Sequence, residues 1–76
     1  MEISNFIHNL SELFEDTDTS GFNSETRFKD VDEWSSIIAL SVIAMIDEEY
    51  DVIINGDDIR KANTIGELFS TVTSKL

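Results

Sequence analysis

The chain has 76 residues, no cysteine and no proline, and its sixteen Asp and Glu against five Lys and Arg give a formal net charge of −11. That length suits one small domain, which removes only about 60–65% of its unfolded surface from water. Without cysteine there is no disulfide framework, thiol catalysis or thiolate metal site, and the acidity argues against nucleic-acid binding through phosphate neutralisation and against a polybasic membrane contact.

A basic protein is the natural complement of such a surface. Hydrophobic residues make up 41% of the chain, below the usual share but well above that of a disordered acidic tail, so a folded domain is expected. The longest apolar stretch, Ile37 to Ile46, is interrupted by Ser41 and is too short to span a bilayer. Glu2 and the lack of a basic n-region predict no secretory leader, which makes the cytoplasm the simplest compartment.

Ile3, Phe6, Ile7, Leu10, Leu13 and Phe14 follow the i, i+3, i+4, i+7 spacing and predict an amphipathic helix over residues 3–15. His8 falls beside that stripe and reads as a surface residue. Glu15 to Glu25 is a polar loop with a turn at Ser20-Gly21. In it, Asp16, Asp18, Ser20, Gly21 and Ser24 occupy positions 1, 3, 5, 6 and 9 of an EF-hand calcium loop. The twelfth position, which should supply a bidentate carboxylate, is Arg27, and the eighth, usually apolar, is Asn23. A solvated acidic loop is therefore the preferred reading, with an EF-hand-like calcium module over 16–27 as the alternative. Phe28, Val31 and Trp34 recur every three residues and predict a long loop pinned to the core by those side chains, with room for a short helical turn.

The run Ser36–Tyr50 has neither Gly nor Pro and predicts a helix roughly 22 Å long. At 100° per residue Ala39, Val42, Ile43, Ile46 and Tyr50 share one side, wide enough to face a core. Ile37, Leu40 and Ala44 lie opposite, among Ser36, Ser41, Asp47 and Glu48. A chain this short cannot bury a helix all round, so those three predict an exposed apolar patch rimmed by carboxylates, a docking surface. Beyond it, Val52-Ile53-Ile54-Asn55-Gly56 invites a strand and an Asn-Gly hairpin. The returning residues Asp57–Lys61 lack alternation, so a loop followed by a helical turn over 57–62 is the better reading. Thr64 opens a last helix, with Glu67 completing a capping box and Ile65, Leu68, Phe69 and Val72 as its apolar face. The sum is an all-α fold: a small antiparallel four-helix bundle with a long first loop and a short third helix.

No catalytic set is visible, since the chain has a single His and no Gly-rich phosphate loop or metal-spaced ligand cluster, and a non-enzyme is predicted. The distinctive feature is the serine pair at the head of the apolar helix. Residues 30–51 hold seven acids (Asp30, Asp32, Glu33, Asp47, Glu48, Glu49, Asp51) and no Lys or Arg. On residue physics alone, Ser35 and Ser36 are helix-capping residues.

Glu33-Trp34-Ser35-Ser36-Ile37, then Ala39-Leu40 and Met45-Ile46-Asp47-Glu48-Glu49-Tyr50, resemble the acyl carrier protein family. That family carries an Asp-Ser-Leu motif at the start of its second helix, which ends in an acidic cluster and an aromatic residue. The resemblance spans essentially the whole chain in length, acidity and order of elements. It implies a four-helix bundle whose motif serine is esterified by 4′-phosphopantetheine. The helix register aligns Ser36 with that serine and Ile37 with the leucine, while Ser35 stands where the family has aspartate. In the family that carboxylate lies beside the prosthetic group and helps recognition by the transferase that installs it with a divalent metal.

The resemblance further implies a monomeric shuttle of fatty-acid or polyketide-type biosynthesis. A phosphopantetheinyl transferase and acyl-transferring or acyl-modifying enzymes with basic docking patches are the implied partners. Ile37, Leu40, Ser41, Ala44, Asp47 and Glu48 are the implied docking residues, with no metal bound by the protein itself. Ile38, Val42, Ile43, Ile46, Ile54, Ile59, Ala62 and Leu68 are equally an acyl-chain lining or plain core. A third possibility is an acidic adaptor that uses the same face unmodified.

Overall fold

In the computed structural model, which describes residues 2–76, the helices are α1 (Ile3–Ser11), α2 (Ser36–Tyr50), α3 (Gly56–Lys61) and α4 (Ile65–Ser74). A single 3-10 turn, Phe28–Asp30, interrupts the long first loop. No strand occurs among the described residues.

Helix α1 is shorter than its spacing predicts, ending at Ser11 and not at residue 15. Beyond it the amides of Leu13 and Phe14 reach back three residues, to the carbonyls of Leu10 and Ser11, tightening the last turn to a 3-10 form. The next amides leave the helix altogether. Glu15 N–H and Asp16 N–H donate to the Glu33 carboxylate at 3.0 and 3.1 Å, so a charged acceptor 18 residues away replaces the carbonyls that would have continued the helix. Phe14 still reaches the core, its ring edge-on to Phe22 and stacked with Trp34.

The loop that follows is tied down locally. Phe22 N–H donates to the Thr19 carbonyl, closing the turn at Ser20-Gly21, and the Asp18 carboxylate accepts from both the amide and the hydroxyl of Ser20. Those bonds hold the Asp18 carboxyl below its ordinary range. Phe28 is fully buried, with Val31 and Trp34 packed half-buried beside it. All three anchors read from the sequence therefore hold.

Helix α2 has the bounds that its composition predicts. Val42 and Ile46 are fully buried and Ala39, Ile43 and Tyr50 pack against the core. Met45 joins them, although its register had not marked it for the interior. With Phe6 and Leu10 of α1, Phe28, and Ile65, Leu68 and Val72 of α4, they make one core. Helix α1 packs on α2 and α4, and α3 on α4. Phe6 sits between Tyr50 and Phe69, ring centroids 5.8 and 5.4 Å away, while the Asn9 amide donates to the Tyr50 hydroxyl.

Asp51 ends α2 in a left-handed conformation, φ 55°, with its amide on the Asp47 carbonyl. Glycine is the usual residue there, and Asp is among the few others that tolerate it. The Asn55-Gly56 pair makes no hairpin: Asn55 caps α3, accepting from the Asp58 amide and donating its own amide to the Asp58 carboxylate. Lys29 closes the other end of this short helix, its ammonium donating to the carbonyls of Ile59 and Arg60 at 3.0 and 2.7 Å, where the helix is electron-rich.

At α4 the Thr64 hydroxyl accepts from the Glu67 amide as expected. The reciprocal arm differs: the Glu67 carboxylate takes the amide of Asn63, one residue earlier than a capping box requires. The first two amides of α4 are satisfied from the long loop, Ile65 by the Thr26 carbonyl and Gly66 by that of Ser24 at 2.8 Å. A Cβ on Gly66 would lie 3.0 Å from that same Ser24 oxygen. Relief would stretch the hydrogen bond it accepts, so the clash outweighs the better helix propensity of alanine. Gly66→Ala is expected to lower the melting temperature, at a cost of about 1 kcal/mol; a raised melting temperature would show that the loop gives way freely.

Candidate functional site

The two serines at the head of α2 have different tasks. Ser35 is extended (φ −154°, ψ 171°) and is the N-cap: its hydroxyl oxygen accepts from the Ile38 amide at 3.3 Å and its carbonyl from the Ala39 amide at 3.0 Å. Ser36 is the first helical residue, exposed and outside that capping pair. The first turn contains no acidic residue, so the partial positive charge of the helix N-terminus is left unneutralised by its own helix.

The exposed side of α2 runs on from Ser36. Ile37 and Leu40 are 74% and 68% exposed, and Ala44, Asp47 and Glu48 are exposed with them. Ser41 lies at the border, half-buried, its hydroxyl turned back onto the Ile37 carbonyl. Of the sequence-derived set, five residues thus form one solvent-facing strip and Ser41 flanks it. Among the described residues none of Asp47, Glu48, Glu49 and Asp51 is ion-paired. Four of the five cations are engaged elsewhere: Arg27 with Asp30, Arg60 with Asp57, Lys75 with Asp58, and Lys29 on the α3 carbonyls. Among the described residues no ion pair ties the acids of this strip to the protein's own bases.

One helical turn below Ser36, Ala39 borders an open cleft of about 700 Å³ whose walls also include Trp34, Ile59, Lys29, Asn55, Asp57 and Arg60. Of the side chains suggested as an acyl-chain lining, Ile59 reaches this cleft. Val42, Ile46 and Leu68 are fully buried in the core, with Ile54 and Ala62 nearly so. Ile53, between the buried Val52 and Ile54, is 78% exposed, an apolar side chain that helical spacing did not reveal.

Several of the calcium-loop positions serve the loop's own hydrogen bonding. Asp18 is turned onto Ser20, the Asp16 amide is held by Glu33, and the Ser24 carbonyl serves Gly66. After Ser24 the chain passes through a turn into the 3-10 segment at Phe28, where an EF-hand would begin its second helix. Among the described residues no three His, Cys, Asp or Glu are grouped to hold a metal ion, and no helix is long and apolar enough to cross a membrane. His8 is exposed beside Glu12.

Sequence reasoning missed Glu33 as an individual, placing it only in the acidic tract and in the run that carries the family resemblance. Its three hydrogen-bond partners, the amides of Glu15 and Asp16 and the Thr17 hydroxyl, lie too far away in the chain for any local pattern to mark them. Comparison with family models, curated proteins and solved structures finds no match to this chain.

Proposed function

We propose that this protein is an acyl carrier: a non-catalytic, monomeric, antiparallel four-helix bundle of the cytoplasm, bearing 4′-phosphopantetheine on Ser36. The observation that carries the reading is a solvent-facing serine in the first turn of α2, followed along one strip by Ile37, Leu40, Ala44, Asp47 and Glu48. Its hydroxyl stands clear of the capping duty that occupies Ser35.

The residues present fit the group. A phosphodiester at Ser36 would lie at the positive end of α2 with no acid in the first turn to oppose it. When bound, the arm supplies the thiol that the cysteine-free chain lacks, and so the means to hold acyl groups as thioesters. The chain's own part is to present the hydroxyl and to guide basic enzymes of fatty-acid or polyketide-type biosynthesis onto the strip. Unpaired acids promote the fast, transient encounters that a shuttle needs. Glu33 is no substitute for the aspartate replaced by Ser35, because both of its oxygens are taken by residues 15–17.

Intact mass after incubation with coenzyme A, magnesium and a broad-specificity phosphopantetheinyl transferase tests this reading, with Ser35→Asp run beside the parent. One added arm on the parent, and faster addition to Ser35→Asp, is the expected result. Addition to neither would remove the carrier reading and leave the strip to an unmodified acidic adaptor.

A further inference from the structure

We propose that Glu33 is the positioning residue for Ser36, and that it acts by clasping the segment 15–17 and so fixing the path by which the chain runs into α2. The inference rests on the carrier reading for its consequence in modification, and on hydrogen-bond geometry alone for the clasp itself.

The carboxylate uses both oxygens. Oε2 accepts from the Glu15 amide at 3.0 Å, and Oε1 accepts from the Asp16 amide at 3.1 Å and the Thr17 hydroxyl at 2.6 Å. Three donors converge and no acceptor faces it, which is a site for a carboxylate and not for an amide. Its neighbours Glu15, Asp16 and Asp32 are all acidic, so a negative charge at position 33 is repelled on several sides. The charge-assisted hydrogen bonds are what offset that repulsion.

Each residue from the clasp to Ser36 is then held by a different partner. Trp34 donates its amide to the Val31 carbonyl at 2.9 Å. Its ring stacks on Phe14 at 6.3 Å and meets Phe28 edge-on at 5.3 Å. Ser35 is locked as the cap. Ser36 follows it, exposed and outside the capping pair. Phe14 immediately precedes Glu15, so the aromatic stack and the clasp join the same two segments side by side. Loss of the carboxylate removes three hydrogen bonds between them and leaves the ring contact.

The test uses the full chain as Glu33→Ala, Glu33→Gln, Thr17→Val and the Thr17→Val/Glu33→Ala double variant. Two readouts are taken besides the melting temperature. The first is amide hydrogen exchange at Trp34, Ile38 and Ala39, whose hydrogen bonds define the approach to α2. The second is the separate KM and kcat for phosphopantetheine transfer from coenzyme A. In Glu33→Ala, exchange at those amides is expected to quicken about tenfold, equivalent to ~1.4 kcal/mol, while the amides of Val42 and Leu68 keep their protection. KM for the protein rises by a similar factor with kcat little changed, as for a hydroxyl presented less often in one place. Glu33→Gln, which keeps one acceptor oxygen, and Thr17→Val fall between. The double variant is no worse than Glu33→Ala, because one interaction cannot be lost twice.

Unchanged exchange at Trp34, Ile38 and Ala39 in Glu33→Ala would overturn the proposal, as would an unchanged KM in that variant when the parent is modified. Should the parent accept no arm, the carrier reading fails, and the exchange result still decides the clasp. If Glu33→Ala does not fold, Thr17→Val and Glu33→Gln carry the same comparison.

Discussion

Ser36→Ala is expected to gain no mass under conditions that convert the parent fully, whereas Ser35→Ala is expected to remain a substrate. The contrast follows from the division of labour at the head of α2. Ser35 spends its hydroxyl on the Ile38 amide, so removing it costs about 1 kcal/mol of cap energy but leaves the exposed hydroxyl of Ser36 in place. Ser36 occupies the first helical position with its side chain in solvent, and alanine is fully compatible with such a position. The melting temperature of Ser36→Ala should therefore stay at the parent's value, which separates loss of the acceptor from loss of the fold. Intact mass and a thermal melt on the same samples make the comparison. An undiminished mass gain in Ser36→Ala would move the ester to another hydroxyl, with Ser35 the nearest.

Much of this arrangement is legible in the chain because it is local. Helix α2 announces itself by a long stretch without Gly or Pro, and its two sides separate cleanly: Val42 and Ile46 inside, Ile37 and Leu40 outside. The anchors Phe28, Val31 and Trp34 are likewise visible as a three-residue repeat. What is hidden depends on partners far along the chain. The path of the chain beyond α1 is tied to Glu33, 18 residues beyond Glu15, and a periodicity continuing through Phe14 gives no warning of it. Gly66 reads as a plain helix position until the Ser24 carbonyl is seen against it. Asn55-Gly56 carries a turn signal that is genuine, but the same asparagine serves equally as an N-cap, and the three-residue reach to Asp58 decides for the helix. Ile53 is exposed because Val52 and Ile54 alternate inward around it, a strand-like pattern in a segment that pairs with no strand. The strip on α2 is readable at the level of which residues face water, and the sequence specifies the sign of its charge.

Ile46→Ala is expected to destabilise the protein by about 2–5 kcal/mol, and Ile37→Ala by less than about 0.5 kcal/mol. The residues removed are chemically identical and lie on the same helix, so propensity terms nearly cancel and burial is left as the difference. Ile46 is fully buried, whereas Ile37 is 74% exposed. Removing Ile46 loses the transfer energy of its side-chain carbons and opens a void that Phe6, Leu10 and the α4 residues can only partly close. For a domain of this length the whole folding free energy is about 4–11 kcal/mol, so Ile46→Ala removes a large share of it. Urea titration reads both variants: a large fall in midpoint at constant slope for Ile46→Ala, and an unmoved midpoint for Ile37→Ala. Equal losses would mean that α2 buries both sides and that its outer strip is core. With the expected split, the unchanged stability of Ile37→Ala becomes useful, since under the proposed carrier reading a loss of partner turnover in that variant would belong to docking and not to folding.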